Sequence, residues 1–218
     1  LTYDYDKWSF IDPKEAQKKL NLPRNPRDYT SIAVTTDDSN DEIVYASSMG
    51  DGVIQYKNGT PVQSYNEKNA FKETAGGYGS GYCYIDGLAF DKNGNLWMTS
   101  SEVNHAVLVL DKAGAWHRLD IEQLRGVYTI NDILITSTND KWIYVPRNTP
   151  KLVMIPNSES LDEVSSYEFT TLIDTDGKEL TPSNYTCVAE DKDGYIWVGT
   201  NRGAVYFTKP RILSLIHI

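Results

Sequence analysis

Only two cysteines and three histidines occur in 218 residues. No zinc site can be assembled from them by motif spacing. Cys83 and Cys187 lie far apart in a chain too large to need stapling, so both are expected to be buried free thiols. No run approaches the roughly 20 apolar residues of a transmembrane helix. Clusters of Lys and Arg are missing too. With 30 acidic against 21 basic residues the net charge is −9, which argues against a phosphate backbone or an anionic membrane surface as partner. No Gly-x-Ser-x-Gly elbow is present. The glycine-rich run Gly76-Gly77-Tyr78-Gly79-Ser80-Gly81-Tyr82 lacks the Lys-Ser/Thr ending of a phosphate loop. Leu1 is not an initiator methionine, so the true start, with any export signal, is expected upstream.

What is abundant is tyrosine (15) and tryptophan (5), set among Asp-Gly and Asn-Gly turns, a mixture that favours strands. A repeat runs through it. Gly87-Leu88-Ala89-Phe90-Asp91-Lys92-Asn93-Gly94-Asn95-Leu96-Trp97-Met98-Thr99 aligns without a gap on the stretch from Cys187 to Thr200. Each has an apolar strand, an Asp-Lys-x-Gly turn and a strand centred on Trp. Weaker copies run from Ser31 to Ser47 and from Ile133 to Val145. Taking Val44, Trp97, Ile143 and Trp197 as equivalent gives a period of about 50 residues, that of a four-stranded propeller blade.

Third strands follow at Val53–Tyr56, Ala106–Leu110, Leu152–Ile155 and Ala204–Phe207, and outer strands at Val62–Tyr65, Trp116–Leu119 and Phe169–Leu172. Asp12 caps a helix starting at Pro13, and Ile121–Leu124 forms a helical turn closed by Gly126. The expected fold is all-β: a partial β-propeller of four to five blades from a larger, seven-bladed disc. Blades are placed at about 28–66, 82–120, 128–173 and 185–212, with a helical insertion near 13–20. Leu1–Phe10 is read as an outer strand of a fifth blade. Residues 213–218 break the frame and are set aside as a non-native tail. Trp97 and Trp197 are expected to be hidden between blades.

The stretch Asp191-Lys192-Asp193-Gly194-Tyr195-Ile196-Trp197-Val198-Gly199-Thr200-Asn201-Arg202-Gly203 resembles the two-component-regulator propeller repeat, and Gly87–Thr99 matches it well. Over Asp28–Phe207 the arrangement resembles the N-terminal propeller of PorZ-type proteins of the type IX secretion system. The residues carrying this are Ser31-Ile32-Ala33-Val34, Asn93-Gly94-Asn95-Leu96-Trp97-Met98-Thr99, Gly114-Ala115-Trp116 and Pro146-Arg147. The resemblance implies an exported protein, periplasmic or at the cell surface. It would bind an anionic lipopolysaccharide and assist surface attachment of secreted cargo. The other reading is the sensing propeller of a hybrid histidine kinase. A third reading is a propeller lyase, which would need a His-rich metal or catalytic cluster in blades outside this sequence.

Asp91-Lys92-Asn93-Gly94, Asp174-Thr175-Asp176-Gly177 and Asp191-Lys192-Asp193-Gly194 superficially suggest calcium loops. Their glycine comes fourth rather than sixth, and the twelfth residue from Asp191 is Arg202 rather than Glu. They are hairpin turns, and neither metal nor cofactor is expected. No enzymatic activity is expected either. Blade topology puts the loops between second and third strands on the same side of the disc as the inter-blade crossovers. That side would collect Tyr78, Tyr82, Asn104, His105, Arg147 and Arg202. The tyrosines could stack on a sugar ring and the arginines could hold carboxylate or phosphate. The expected partners are a glycan, lipopolysaccharide or envelope protein.

Overall fold

The computed structural model describes residues 2–4, 7–75, 81–173 and 177–207. The chain is a partial β-propeller: sequential antiparallel sheets stacked in an arc. Two short strands, β1 (Thr2–Asp4) and β2 (Lys7–Ser9), come first. They pair with each other, Thr2 opposite Ser9. The described part of Leu1–Phe10 is therefore two strands paired with each other rather than one outer strand, because each satisfies its backbone on its neighbour.

Helix α1 (Pro13–Leu20) starts where Asp12 accepts the Lys14 N–H at 2.9 Å and stops at Asn21 in the left-handed region. The first blade comprises β3 (Tyr29–Thr36), β4 (Glu42–Gly50), β5 (Gly52–Lys57) and β6 (Thr60–Tyr65). The second comprises β7 (Cys83–Phe90), β8 (Leu96–Ser100), β9 (Val107–Leu110) and β10 (Trp116–Leu119). A 3-10 turn at Glu122–Leu124 leads to the third blade. That blade holds β11 (Ile133–Ile135), β12 (Lys141–Val145), β13 (Lys151–Ile155) and β14 (Tyr167–Phe169).

The third outer strand ends earlier than the expected Phe169–Leu172. Leu172 leaves that sheet because it begins β15 (Leu172–Ile173), which pairs with β16 (Glu179–Leu180). The fourth sheet consists, among the described residues, of β17 (Tyr185–Glu190), β18 (Ile196–Thr200) and β19 (Gly203–Phe207). Asp174–Asp176 and the tail 213–218 lie outside the described residues.

The core lies between blades. Ala33, Val53, Leu88, Leu96 and Met98 join the first blade to the second. Trp97, Val109, Ile133, Ile143 and Val153 join the second to the third. Trp142, Met154, Tyr185, Ile196 and Val198 join the third to the fourth. Burial on both faces makes β8 and β12 wholly buried strands, as continuous apolar runs predict. The ends of the arc differ. On the first blade α1 covers part of the outward face, with Ala16 against Ala46, Ile54 and Tyr56, while Ile32 and Val34 stay exposed. On the fourth, Cys187 and Trp197 stay exposed.

Two corrections follow. Trp97 is 1% exposed but Trp197 is 40% exposed, because the surface that hides Trp97 belongs to the next blade in the arc. Both thiols are free, yet only Cys83 is buried; Cys187 is exposed on the same outer face as Trp197. Burial pushes the Cys83 thiol up to about 12.

The hairpin between first and second strands also corrects the repeat frame. In each blade the residue opening the turn donates its N–H four residues on: Asp37 to Asp41, Asp91 to Asn95, Thr136 to Asp140, Asp191 to Tyr195. Six residues after each opening position stand Ile43, Trp97, Trp142 and Trp197. The register agrees, since Ala89 faces Trp97, Leu134 faces Trp142 and Ala189 faces Trp197. Trp142, not Ile143, is thus the counterpart of Trp97, and Ile43, not Val44, fills the place in the first blade. The frame slipped by one residue because these buried strands are apolar on both faces and carry no alternation to fix their phase.

Candidate ligand-binding face

Backbone hydrogen bonds place the loops between second and third strands beside the start of the following blade. Gly50 pairs with Cys83, Gly126 N–H reaches Val103 O (2.8 Å), and Tyr185 N–H reaches Pro146 O (3.0 Å). These loops carry four of the six expected site residues: Asn104, His105, Arg147 and Arg202. Tyr82 lies just before β7 at the first junction. Tyr78 lies outside the described residues.

Tyr82 is not a free stacking surface. The Arg24 guanidinium sits over its ring at 4.8 Å, and Tyr84 meets it edge-on at 6.3 Å between centroids. Arg24 is itself held by Asp51, Nε to Oδ1 at 2.5 Å, and Arg24 Nη2 reaches Gly50 O at 3.4 Å. Asp51 and Gly50 form the tight turn between β4 and β5, so Arg24 buttresses that turn from the segment after α1. A cavity of about 190 Å³ opens beside it, lined also by Asn66, Glu67 and Lys68.

The loop carrying Asn104 and His105 is anchored on Glu73. Both backbone N–H groups donate to Glu73 Oε2, at 2.6 and 3.1 Å, and the His105 Nδ1 faces Glu73 Oε1. Burial pushes the Glu73 carboxyl up, but the bonds from His105 and the two N–H groups outweigh it and hold the group below its usual range. The loop is therefore pinned to the crossover after the first blade.

Arg147 and Arg202 differ from every other described arginine. Arg24 is paired with Asp51, Arg27 with Asp28 (4.0 Å), and Arg125 with Asp120. Arg118 donates to Ala70 O at 2.5 Å. The Arg147 and Arg202 side chains are exposed and have no partner among the described residues. Sequence reasoning missed Arg24, Asp51 and Glu73, whose roles depend on contacts 27 to 58 residues away.

The Asp-x-x-Gly turns of Asp91 and Asp191, at the opposite ends of these strands, are used in hydrogen bonds. Asp91 Oδ1 accepts the Asn93 and Asn95 N–H groups at 2.9 Å, and its Oδ2 accepts Trp97 Nε1–H at 2.9 Å. Asp191 does the same for Asp193, Tyr195 and Trp197. These carboxylates are turn and indole acceptors. Among the described residues no cluster of His, Cys, Asp and Glu could hold a metal ion, and no helix is long and apolar enough to cross a membrane.

Residues 179–202 match the two-component regulator propeller family. No curated protein matches the sequence. Among solved structures the chain is similar to PorZ, described as an essential bacterial surface component of the type-IX secretion system of Porphyromonas gingivalis. The TM-score is 0.79 at 21% identity, over 96% of this chain and 29% of that one. It is also similar to the extracellular domain of BT3049 from B. thetaiotaomicron, named for a hybrid two-component system. There the TM-score is 0.54 at 17% identity, covering 82% of this chain and 21% of that one. The extracellular domain of BT4673 gives 0.56, again at 17% identity, over 82% and 21%. The chain thus spans under a third of each of these three solved chains. The likeness is one of fold.

Proposed function

We propose that this propeller segment is a non-enzymatic binding or sensing module of an exported envelope protein. Its loop face engages an anionic group on a glycan, a lipopolysaccharide or a protein. One observation carries the reading. In a chain of net charge −9, the two described arginines without a partner stand on the corresponding loops of consecutive blades. A guanidinium left in water keeps its five donors available for a planar anion. The fold likeness to a bacterial surface component and to extracellular domains supports an exported setting. The turn carboxylates of Asp91 and Asp191, which superficially suggest calcium loops, accept from backbone N–H groups and indoles.

Binding to lipopolysaccharide-coated sensors and to sulfated glycans, across a salt series, tests this. Arg147→Ala with Arg202→Ala should weaken binding about tenfold or more and flatten its salt dependence. Unchanged affinity and salt slope in the double variant would refute the assigned face. A second reading, the extracellular sensing half of a two-component receptor, is favoured by the repeat match at 179–202. There, ligand binding changes the activity of a fused kinase, which a phosphotransfer assay on the full-length protein would read.

A further inference from the structure

The second and third blades are tied together at their Asp-turn ends, and so are the third and fourth. Lys92 N–H donates to Asn139 Oδ1 at 2.9 Å and Lys92 Nζ reaches Ser137 O. Ser137 in turn donates from its N–H and Oγ to the Glu190 carboxylate, at 2.6 and 2.5 Å. The first junction has no such tie among the described residues. Asp37 and Asp41 spend their carboxylates within their own blade on Lys57 Nζ, at 2.6 and 2.8 Å. The first two blades are joined instead at the other end, where Met49 and Gly50 pair with Tyr84 and Cys83. A wedge fastened at one end opens at the other. The result is a groove of about 500 Å³ between them, within the roughly 300–1,000 Å³ usual for small-molecule sites.

The chemistry of the groove is specific. Tyr45 and Phe90 lie in its wall as an edge-to-face pair, 5.9 Å between centroids, over buried Leu96. The Gln55 amide is oriented by its neighbour: Tyr65 OH donates to Gln55 Oε1 at 3.0 Å, and the Tyr65 ring stacks on Tyr45 at 6.2 Å between centroids. With its oxygen committed, the amide keeps two N–H donors that have no partner among the described residues. On the rim, Asp38 is an exposed carboxylate with no side-chain partner among the described residues, and Lys112 an exposed ammonium. The lining carries three carboxylates (Asp37, Asp38, Asp111) against two ammonium groups (Lys57, Lys112), a balance of 2 − 3 = −1.

We propose that this groove is a second binding site, distinct from the loop face, and that it takes an uncharged saccharide. An aromatic wall fits the apolar face of a sugar ring. The free amide donors and the Asp38 acceptor supply the directional bonds that hydroxyls need. The slight negative balance disfavours an anionic ligand, and the lone free ammonium on the rim does not offset it. The two sites therefore prefer opposite ligands. The loop face takes an anion; the groove takes a neutral polyol.

The test is saturation-transfer NMR on the 218-residue chain, with maltotriose, cellotriose, mannotriose and chitotriose as neutral probes and a heparin trisaccharide as anionic control. At least one neutral probe should bind with a Kd below about 5 mM. Gln55→Ala and Asp38→Ala should each weaken it about fivefold or more, with unchanged melting temperatures. Arg147→Ala with Arg202→Ala should leave it unaltered, so failure of one site does not imply failure of the other. Silence from all the neutral probes, indifference to both groove substitutions, or stronger binding of the heparin trisaccharide than of any neutral probe by the Arg147→Ala, Arg202→Ala double variant would each overturn the assignment.

Discussion

The tryptophan that follows each turn illustrates what one acceptor is worth. Trp97 and Trp142 hold equivalent places, both essentially unexposed at 1% and 0%. Trp97 Nε1–H donates to Asp91, whereas Trp142 Nε1 is buried with no partner among the described residues. The cause is one residue: Thr136 stands where Asp91 and Asp191 stand, and its hydroxyl is used by Asp140 N–H at 3.0 Å. Stacking on Phe169 at 5.7 Å and contact with Phe207 at 5.4 Å hold the Trp142 ring despite this. Trp→Phe removes similar volume at both sites but breaks a bond only at the first and relieves an orphaned donor at the second. Trp97→Phe should therefore cost about 1–3 kcal/mol more than Trp142→Phe. Urea denaturation of the two variants measures this, and equal costs would contradict it.

At the scale of elements, a buried carboxyl links three segments of the second and third blades. Asp86 in β7 accepts Ser101 Oγ–H at 2.8 Å, and Ser101 Oγ accepts the Ile130 N–H ahead of β11 at 2.8 Å. Asp86 is 8% exposed. Burial pushes its carboxyl up to about 7, against the Ser101 bonds that favour the charge, and Glu102 adds repulsion. The folded value lies above the ordinary 3.8. Stability from this group is thus complete below about pH 4, declines as pH rises and is lost by about pH 7. The whole loss is at most about 4 kcal/mol. Asp86→Asn keeps an acceptor for Ser101 and cannot ionise. Compared with that variant, the native chain should lose stability between pH 5 and pH 8. Parallel urea midpoints for the two proteins over that range would rule the effect out.

For the whole molecule, place in the arc decides what a residue contributes. Trp97 and Trp197 share a turn, a register and an aspartate acceptor, and Trp197 also stacks on Tyr206 at 4.8 Å. Among the described residues only Trp97 has a neighbouring blade over it, including the Lys141 ammonium at 4.4 Å from its ring. Burial disfavours the charge on that lysine and moves its pKa down, partly offset by Asp91 and Asp140. Trp97→Ala should cost about 3–5 kcal/mol, whereas Trp197→Ala should cost about 1–2 kcal/mol. Thermal melts of the paired variants distinguish this from a purely local account, in which the two losses would match.

The inner strands of each blade, the period, the Asp turns and the helix cap at Asp12 were legible in the residues, because each rests on contacts within a few positions; the first hairpin and the β15–β16 pair were not. Even the arginines that proved unpaired stood out as cations in an acidic chain. The phase of the repeat was not legible, since strands buried on both faces look alike in either register. Nor was the Arg24 support under Tyr82, the Glu73 anchor of the His105 loop, or the open groove at the first junction. Those follow from side chains meeting across tens of residues. The difference in burial between Trp97 and Trp197 has the same origin: local sequence builds a blade, but only the stacking of blades decides which of its faces meets water.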